Sequence, residues 1–104
     1  MVYTNKEYNI CIDSIINHVF SILPLYEEHG MTEELCYKIN FTATQIHTLF
    51  KICKNKNVHS SSYYLEVVSH LQMIKEAKNH ADVRKSVLKI CSLLSEMKVG
   101  DDNA

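Results

Sequence analysis

Two glycines and one proline in 104 residues leave few sites for tight turns. The chain is therefore expected to consist of a few long elements, with helix as the default. No CxxC or CxC spacing occurs. Cys11, Cys36, Cys53 and Cys91 stand far apart among apolar neighbours, which excludes a local zinc knuckle and points to reduced, mostly buried thiols. The most apolar window, Ile10 to Leu25, is interrupted by Asp13, Asn17, His18 and Ser21, each costly in a bilayer. Met1-Val2-Tyr3-Thr4 lacks a basic signal head and a myristoylation glycine, so a cytoplasmic protein without a membrane partner is expected. Equally absent are a glycine-rich phosphate loop, a nucleophile elbow and a paired-carboxylate pattern. Neither enzymatic activity nor a metal or other cofactor is expected.

Among what is present, 46% hydrophobic and 22% charged residues describe an ordinary globular chain with one modest core. A single helical domain over 1–100 and a loose tail over 101–104 are expected. The net charge of −1 argues against indiscriminate coating of nucleic acid. Its distribution is uneven: Glu27, Glu28, Glu33 and Glu34 precede the middle of the chain, and Lys51, Lys54 and Lys56 follow it.

Thr4-Asn5-Lys6-Glu7 is a capping box. Tyr8, Ile12, Ile15, Ile16, Val19, Ile22, Leu23 and Tyr26 follow at helical spacing, with Pro24 expected to kink or end the helix near Leu23 and Gly30 to stop its last turn. Ile10, Cys11, Phe20 and Leu25 widen this face beyond what one small core covers, which implies a second contact surface, most simply a partner subunit. A clean stripe of Val83, Val87, Ile90, Cys91, Leu94 and Met97 marks a last helix running from about Asp82 toward Gly100. A homodimer would then be built from Ile12, Ile16 and Phe20 together with Val87, Cys91 and Leu94.

Residues 33–54 admit two readings. One is an unbroken helix with Leu35, Ile39, Ala43, Ile46, Phe50 and Cys53 inward. The other places a short helix over Glu33–Ile39 capped by Thr32, a turn at Asn40-Phe41, and a fresh start at the capping box Thr42-Ala43-Thr44-Gln45. The second reading makes a helix-turn-helix, with Cys36 allowing a close crossing. Its second helix presents Thr42, Ala43, Thr44, His47, Thr48 and Lys51 outward: small polar side chains for base edges, with Lys51, Lys54 and Lys56 for phosphates. A straight helix through residues 38–44 removes that motif.

Beyond Asn55-Lys56-Asn57, the run Val58 to Val68 reads either as a short hairpin or as a helix capped by Ser62 that carries Tyr64, Val67, Val68, Leu71 and Ile74. Glu66/His70 and Glu76/His80 have the spacing of surface ion pairs.

In its residue types, the segment Thr32 to Lys51 resembles the helix-turn-helix of ArsR-type winged-helix repressors, with Asn57-Val58 where their Gly-Leu step precedes the wing. It is also similar to the motif regions of AraC-type and fimbrial-operon regulators. The resemblance implies a dimer built by terminal helices and operator DNA as partner. It does not extend to metal sensing, since Tyr37-Lys38 follows Cys36 where metal-sensing members carry a second nearby cysteine. His47-Thr48-Leu49-Phe50-Lys51 is similar to the acceptor segment of histidine phosphotransfer domains, although that family places lysine three residues after the histidine and glycine next. The expected fold is mainly α, a compact helical domain with a central helix-turn-helix and room for a short β wing, or alternatively a four-helix bundle. The expected function is dimeric, sequence-specific gene regulation. The alternatives are a helical protein-interaction module that engages a partner through the apolar face of the first helix and, third, a phosphotransfer domain.

Overall fold

A computed structural model describes residues 4–53 and 60–100 of the chain. Five helical segments account for nearly all of them: α1 (Asn5–Phe20), α2 (Ile22–His29), α3 (Glu33–Cys53), α4 (Ser60–Glu76) and α5 (His80–Met97). The start of α1 follows from its sequence. Thr4 Oγ1 accepts the Glu7 backbone N–H at 3.0 Å, and Glu7 Oε1 accepts that of Thr4 at 2.9 Å. Thr32 caps α3 by accepting from Leu35 N at 3.1 Å, and Asn79 caps α5 by accepting from Asp82 N at 2.9 Å.

α1 and α2 form one rod bent at Ser21. The bend lies two residues upstream of the kink expected near Leu23. A proline ring collides with the carbonyl four residues before it, here Phe20, so the break falls just after Phe20 rather than beside Pro24. Ser21 Oγ, donating to His18 O at 2.6 Å, satisfies a carbonyl at the bend. α2 stops at Gly30, whose φ of 69° suits glycine and whose N–H donates to Tyr26 O at 2.7 Å.

The resulting four rods pack as a square of antiparallel neighbours: α1–α2 beside α3 and α5, and α4 beside the same two. Cross-links fix the register. Tyr8 Oη donates to Met97 O at 3.0 Å, Tyr26 lies by His80, His18 by Gln45, and Asn40 by Lys75. Ile12, Val19, Ile39, Ile46, Val67, Leu71, Ile74, Val87, Ile90 and Leu94 fill the centre. The whole predicted stripe of α5 is buried. The fold is all-α, and among the described residues there is no strand.

Three sequence expectations are corrected here. First, residues 38–44 are continuous helix, so no turn exists at Asn40-Phe41 and Thr42 does not open a new helix. Thr42 is fully buried, with Oγ1 donating to Lys38 O at 2.9 Å, and Thr44 Oγ1 donates to Asn40 O at 3.1 Å. Threonine hydroxyls can return to the carbonyl four residues back, which satisfies them without ending the helix. Gln45, which the capping box would have used, instead meets His18 Nδ1 at 2.9 Å. Second, the hairpin or wing is replaced over residues 60–68 by the first turns of α4; Val58 and the Asn57-Val58 step lie outside the described residues. Third, Ile12, Val87, Cys91 and Leu94 are sealed inside one chain, Ile16 is half-buried against the same core, and only Phe20 of the six proposed dimer contacts is exposed. α3 and α5 cover one side of the broad apolar face of α1. Ile10 at 57%, Phe20 at 43% and, on α2, Leu25 stay exposed, so the surplus apolar surface expected from sequence persists.

Candidate interaction surface

The straight course of α3 redistributes the residues expected to read DNA. Thr42 points into the core and Ala43 is half-buried. Thr44 and Thr48 border a groove of about 280 Å³ between α1 and α3, together with Cys11, Ser14 and Gln45. His47 faces the other neighbour, α4: its Nδ1 lies 2.7 Å from Tyr64 Oη, and the Tyr64 ring stacks on Phe50 at 4.6 Å. Lys51 is exposed near the end of the helix, and Lys54 and Lys56 lie outside the described residues. Thr44, His47, Thr48 and Lys51 are exposed at helical spacing on one side of the straight α3. Thr42 and Ala43 are withdrawn from that side, and no turn precedes the exposed four as a recognition helix needs.

Sequence reasoning missed a different cluster, at the opposite end of α3. Tyr37 is 74% exposed, Phe41 51% and Leu25 38%. Tyr37 and Phe41 are one helical turn apart, on the side of α3 away from Leu35, Ile39, Thr42 and Ile46, and Leu25 approaches them from α2. The three border a groove of about 340 Å³ whose floor includes Leu35 and whose rim includes His29, Glu34 and Lys38. A signal for it existed in the sequence: on a straight helix, the four-residue spacing of Tyr37 and Phe41 puts two aromatics opposite the core stripe. The turn assigned to Phe41 concealed it.

Pro24 and Gly30 build this site. The bend at Ser21 redirects α2, and the glycine ends α2 so that the chain can return along α3. Charge at the site has one dominant sign. Glu27, Glu28, Glu33 and Glu34 are all exposed; Glu28 lies 3.7 Å from His29, and Lys38 is half-buried. Glu33 and Glu34 occupy the first turn of α3, where the helix dipole favours carboxylates.

Other chemistry is sparse. Among the described residues no group of three or more His, Cys, Asp or Glu side chains converges as a metal site would require. Likewise, no helix among them is long and apolar enough to cross a membrane. Burial pushes the Cys91 thiol up to about 11, which keeps it protonated and inert at neutral pH. No family model matches the chain, and neither curated proteins nor solved structures give a match.

Proposed function

We propose that this protein is a non-enzymatic helical interaction module that docks a partner protein on the groove between α2 and α3. The observation that carries this reading is the gathering of exposed Leu25, Tyr37 and Phe41 around one groove, which the other exposed apolar residues, Ile10, Phe20, Leu65, Met73 and Leu88, do not line. Large apolar side chains gathered on a surface mark contact sites, whereas scattered ones need no explanation. Aromatic anchors beside a pocket dominate the energetics of most protein interfaces. The site differs from the apolar face of the first helix expected from sequence: only its α2 end, at Leu25, takes part. Gene regulation loses the helix-turn-helix that suggested it once α3 runs straight through residues 38–44.

The test is co-purification with wild type and with a Tyr37→Ala/Phe41→Ala variant. A partner held by wild type, lost by the variant and reconstituted from purified components supports the reading. Identical partners on both proteins overturn it.

One observation favours a second reading, phosphotransfer. His47 is exposed on the second rod of a four-helix bundle, and Tyr64 Oη engages its Nδ1, so that Nε2 is the ring nitrogen a phosphoryl group would reach. An acceptor histidine needs an oriented ring with one accessible nitrogen. Lys51 is exposed one helical turn further on, but the bulky Phe50 lies between them in sequence.

A further inference from the structure

We infer that the occupant of the α2–α3 groove is an amphipathic helix whose apolar stripe is flanked by lysine or arginine. This rests on the docking reading above and adds the chemistry of the partner.

Shape and charge argue together. The groove runs between two antiparallel helices and offers Leu25, Tyr37 and Phe41 as separate apolar contacts, which suits side chains at i, i+3 or i+4, and i+7 of a helix laid into it. Its rim is acidic. Glu33 lies one turn before Tyr37, Glu34 one turn before Lys38 and two before Phe41, and Glu28 follows Leu25 by three residues on α2. Against Glu27, Glu28, Glu33 and Glu34, the permanent cations nearby are Lys38 and Lys75, the latter held on Asn40, with His29 beside Glu28. A partner that brought carboxylates here would meet like charges on both sides of its apolar stripe. One that brought ammonium or guanidinium groups would meet four exposed carboxylates, steering its approach and fixing its orientation. Long basic side chains can also lay their methylene stems along Tyr37 and Phe41 while the charged heads reach the rim.

The groove is distinct from the one between α1 and α3, whose walls hold Ser14, Thr44, Gln45 and Thr48 and no charged group. It also differs from the groove between α4 and α5, whose lining mixes Glu76 and Asp82 with Lys78 and Lys85 and holds no tyrosine or phenylalanine.

The experiment is selection from a displayed library of helical peptides about five turns long, roughly 18 residues at 3.6 per turn. Charge is randomised beside a fixed apolar stripe. The full chain is the bait, and the Tyr37→Ala/Phe41→Ala variant is used for counter-selection. Enriched peptides are resynthesised and measured by fluorescence anisotropy. Expected are peptides rich in Lys or Arg beside the stripe, bound about tenfold more weakly by the Tyr37→Ala/Phe41→Ala variant. They should also bind several-fold more weakly to Glu33→Gln/Glu34→Gln, and more weakly still as salt rises. Groove-dependent peptides with acidic or neutral flanks overturn the charge assignment and leave the docking reading standing. Failure to enrich any peptide that distinguishes wild type from the variant overturns both. All four positions are exposed, so unchanged circular dichroism verifies that the variants remain folded.

Discussion

Asn40 Oδ1 accepts a hydrogen bond from Lys75 Nζ at 2.9 Å, which ties the middle of α3 to the last turn of α4. Asparagine at this position therefore acts as a cross-bundle contact inside a continuous helix. The expected outcome of replacement follows. Asn40→Ala exchanges an exposed hydrogen bond for better helix propensity and should leave stability within about 0.5 kcal/mol. Asn40→Gly should destabilise by a few tenths of a kcal/mol, and Asn40→Pro by about 3 kcal/mol or more. Thermal unfolding followed by circular dichroism checks the order. A gain in stability for Asn40→Gly would show the left-handed turn that a straight helix excludes.

That residue also explains where the sequence was legible and where it was not. Helix starts were readable where a side chain closes a local hydrogen bond at Thr4 and Thr32, whereas Asn79 caps α5 ahead of the start expected near Asp82. The α5 stripe was readable because every position in it faces one core. Thr42-Ala43-Thr44-Gln45 carries the letters of a capping box, yet a threonine hydroxyl is equally satisfied by the carbonyl of the preceding turn. Local pattern cannot separate those outcomes. The packing of Thr42 among four rods decides between them, and so does the pairing of Gln45 with His18, 27 residues away. The α2–α3 groove was hidden for the same reason, since it exists only once Tyr37 and Phe41 belong to one straight helix.

The ends of the bundle are joined by side chains of α1. Tyr8 Oη donates to Met97 O, while Asn9 Nδ2 donates to Val99 O at 2.6 Å and Asn9 Oδ1 accepts from Val99 N at 3.0 Å. Tyr8→Phe removes one buried hydrogen bond while keeping the ring, and should cost about 0.5–1.5 kcal/mol. In a chain of this size that corresponds to a melting temperature lower by roughly 4–8 °C per kcal/mol. Asn9→Ala loses two part-buried bonds at once, so its penalty should be at least as large. Equal melting temperatures for wild type and both variants would show that these contacts contribute nothing.

Cys91 gives a pH-dependent prediction. Its folded value of about 11 lies above the ordinary 9.0 because burial disfavours the thiolate. A raised value of this kind means that the unfolded chain releases the proton first. The contribution to stability is therefore complete below about pH 9 and is lost as pH rises toward 11. Iodoacetamide at pH 8, with peptides resolved by mass spectrometry, should label the half-buried Cys11 and Cys36 ahead of Cys91. Labelling of Cys91 should await denaturant. Equal labelling rates in native buffer would contradict its burial.

The phosphotransfer reading makes a chemical prediction at one atom. Phosphoramidate carries a phosphoryl group that a histidine nitrogen can accept with release of ammonia. If His47 serves that role, treatment should add one acid-labile phosphoryl group, absent from His47→Gln. Tyr64→Phe should slow the addition by releasing the ring held through Nδ1. A mass unchanged after prolonged treatment removes this reading and leaves interaction through α2 and α3.

Duplex DNA provides the sharpest contrast between gene control and docking. A regulator that neutralises several phosphates loses affinity steeply as salt rises, by about three orders of magnitude or more over a modest salt range. On the bundle described here, Thr44 and Thr48 border the α1–α3 groove, His47 meets Tyr64, and Thr42 is buried. Thr44, His47, Thr48 and Lys51 share the exposed side of α3, but with α3 unbroken no turn and fresh helix start carry them into a major groove. Fluorescence anisotropy against mixed-sequence duplexes at low salt should therefore show at most weak binding with no sequence preference. Lys51→Ala should change it little, and Thr44→Ala and His47→Ala should not redistribute it among sequences. Tight binding that collapses with salt, and loses discrimination when Thr44 or His47 is replaced, would require α3 to bend in solution and would return the protein to the DNA-binding class.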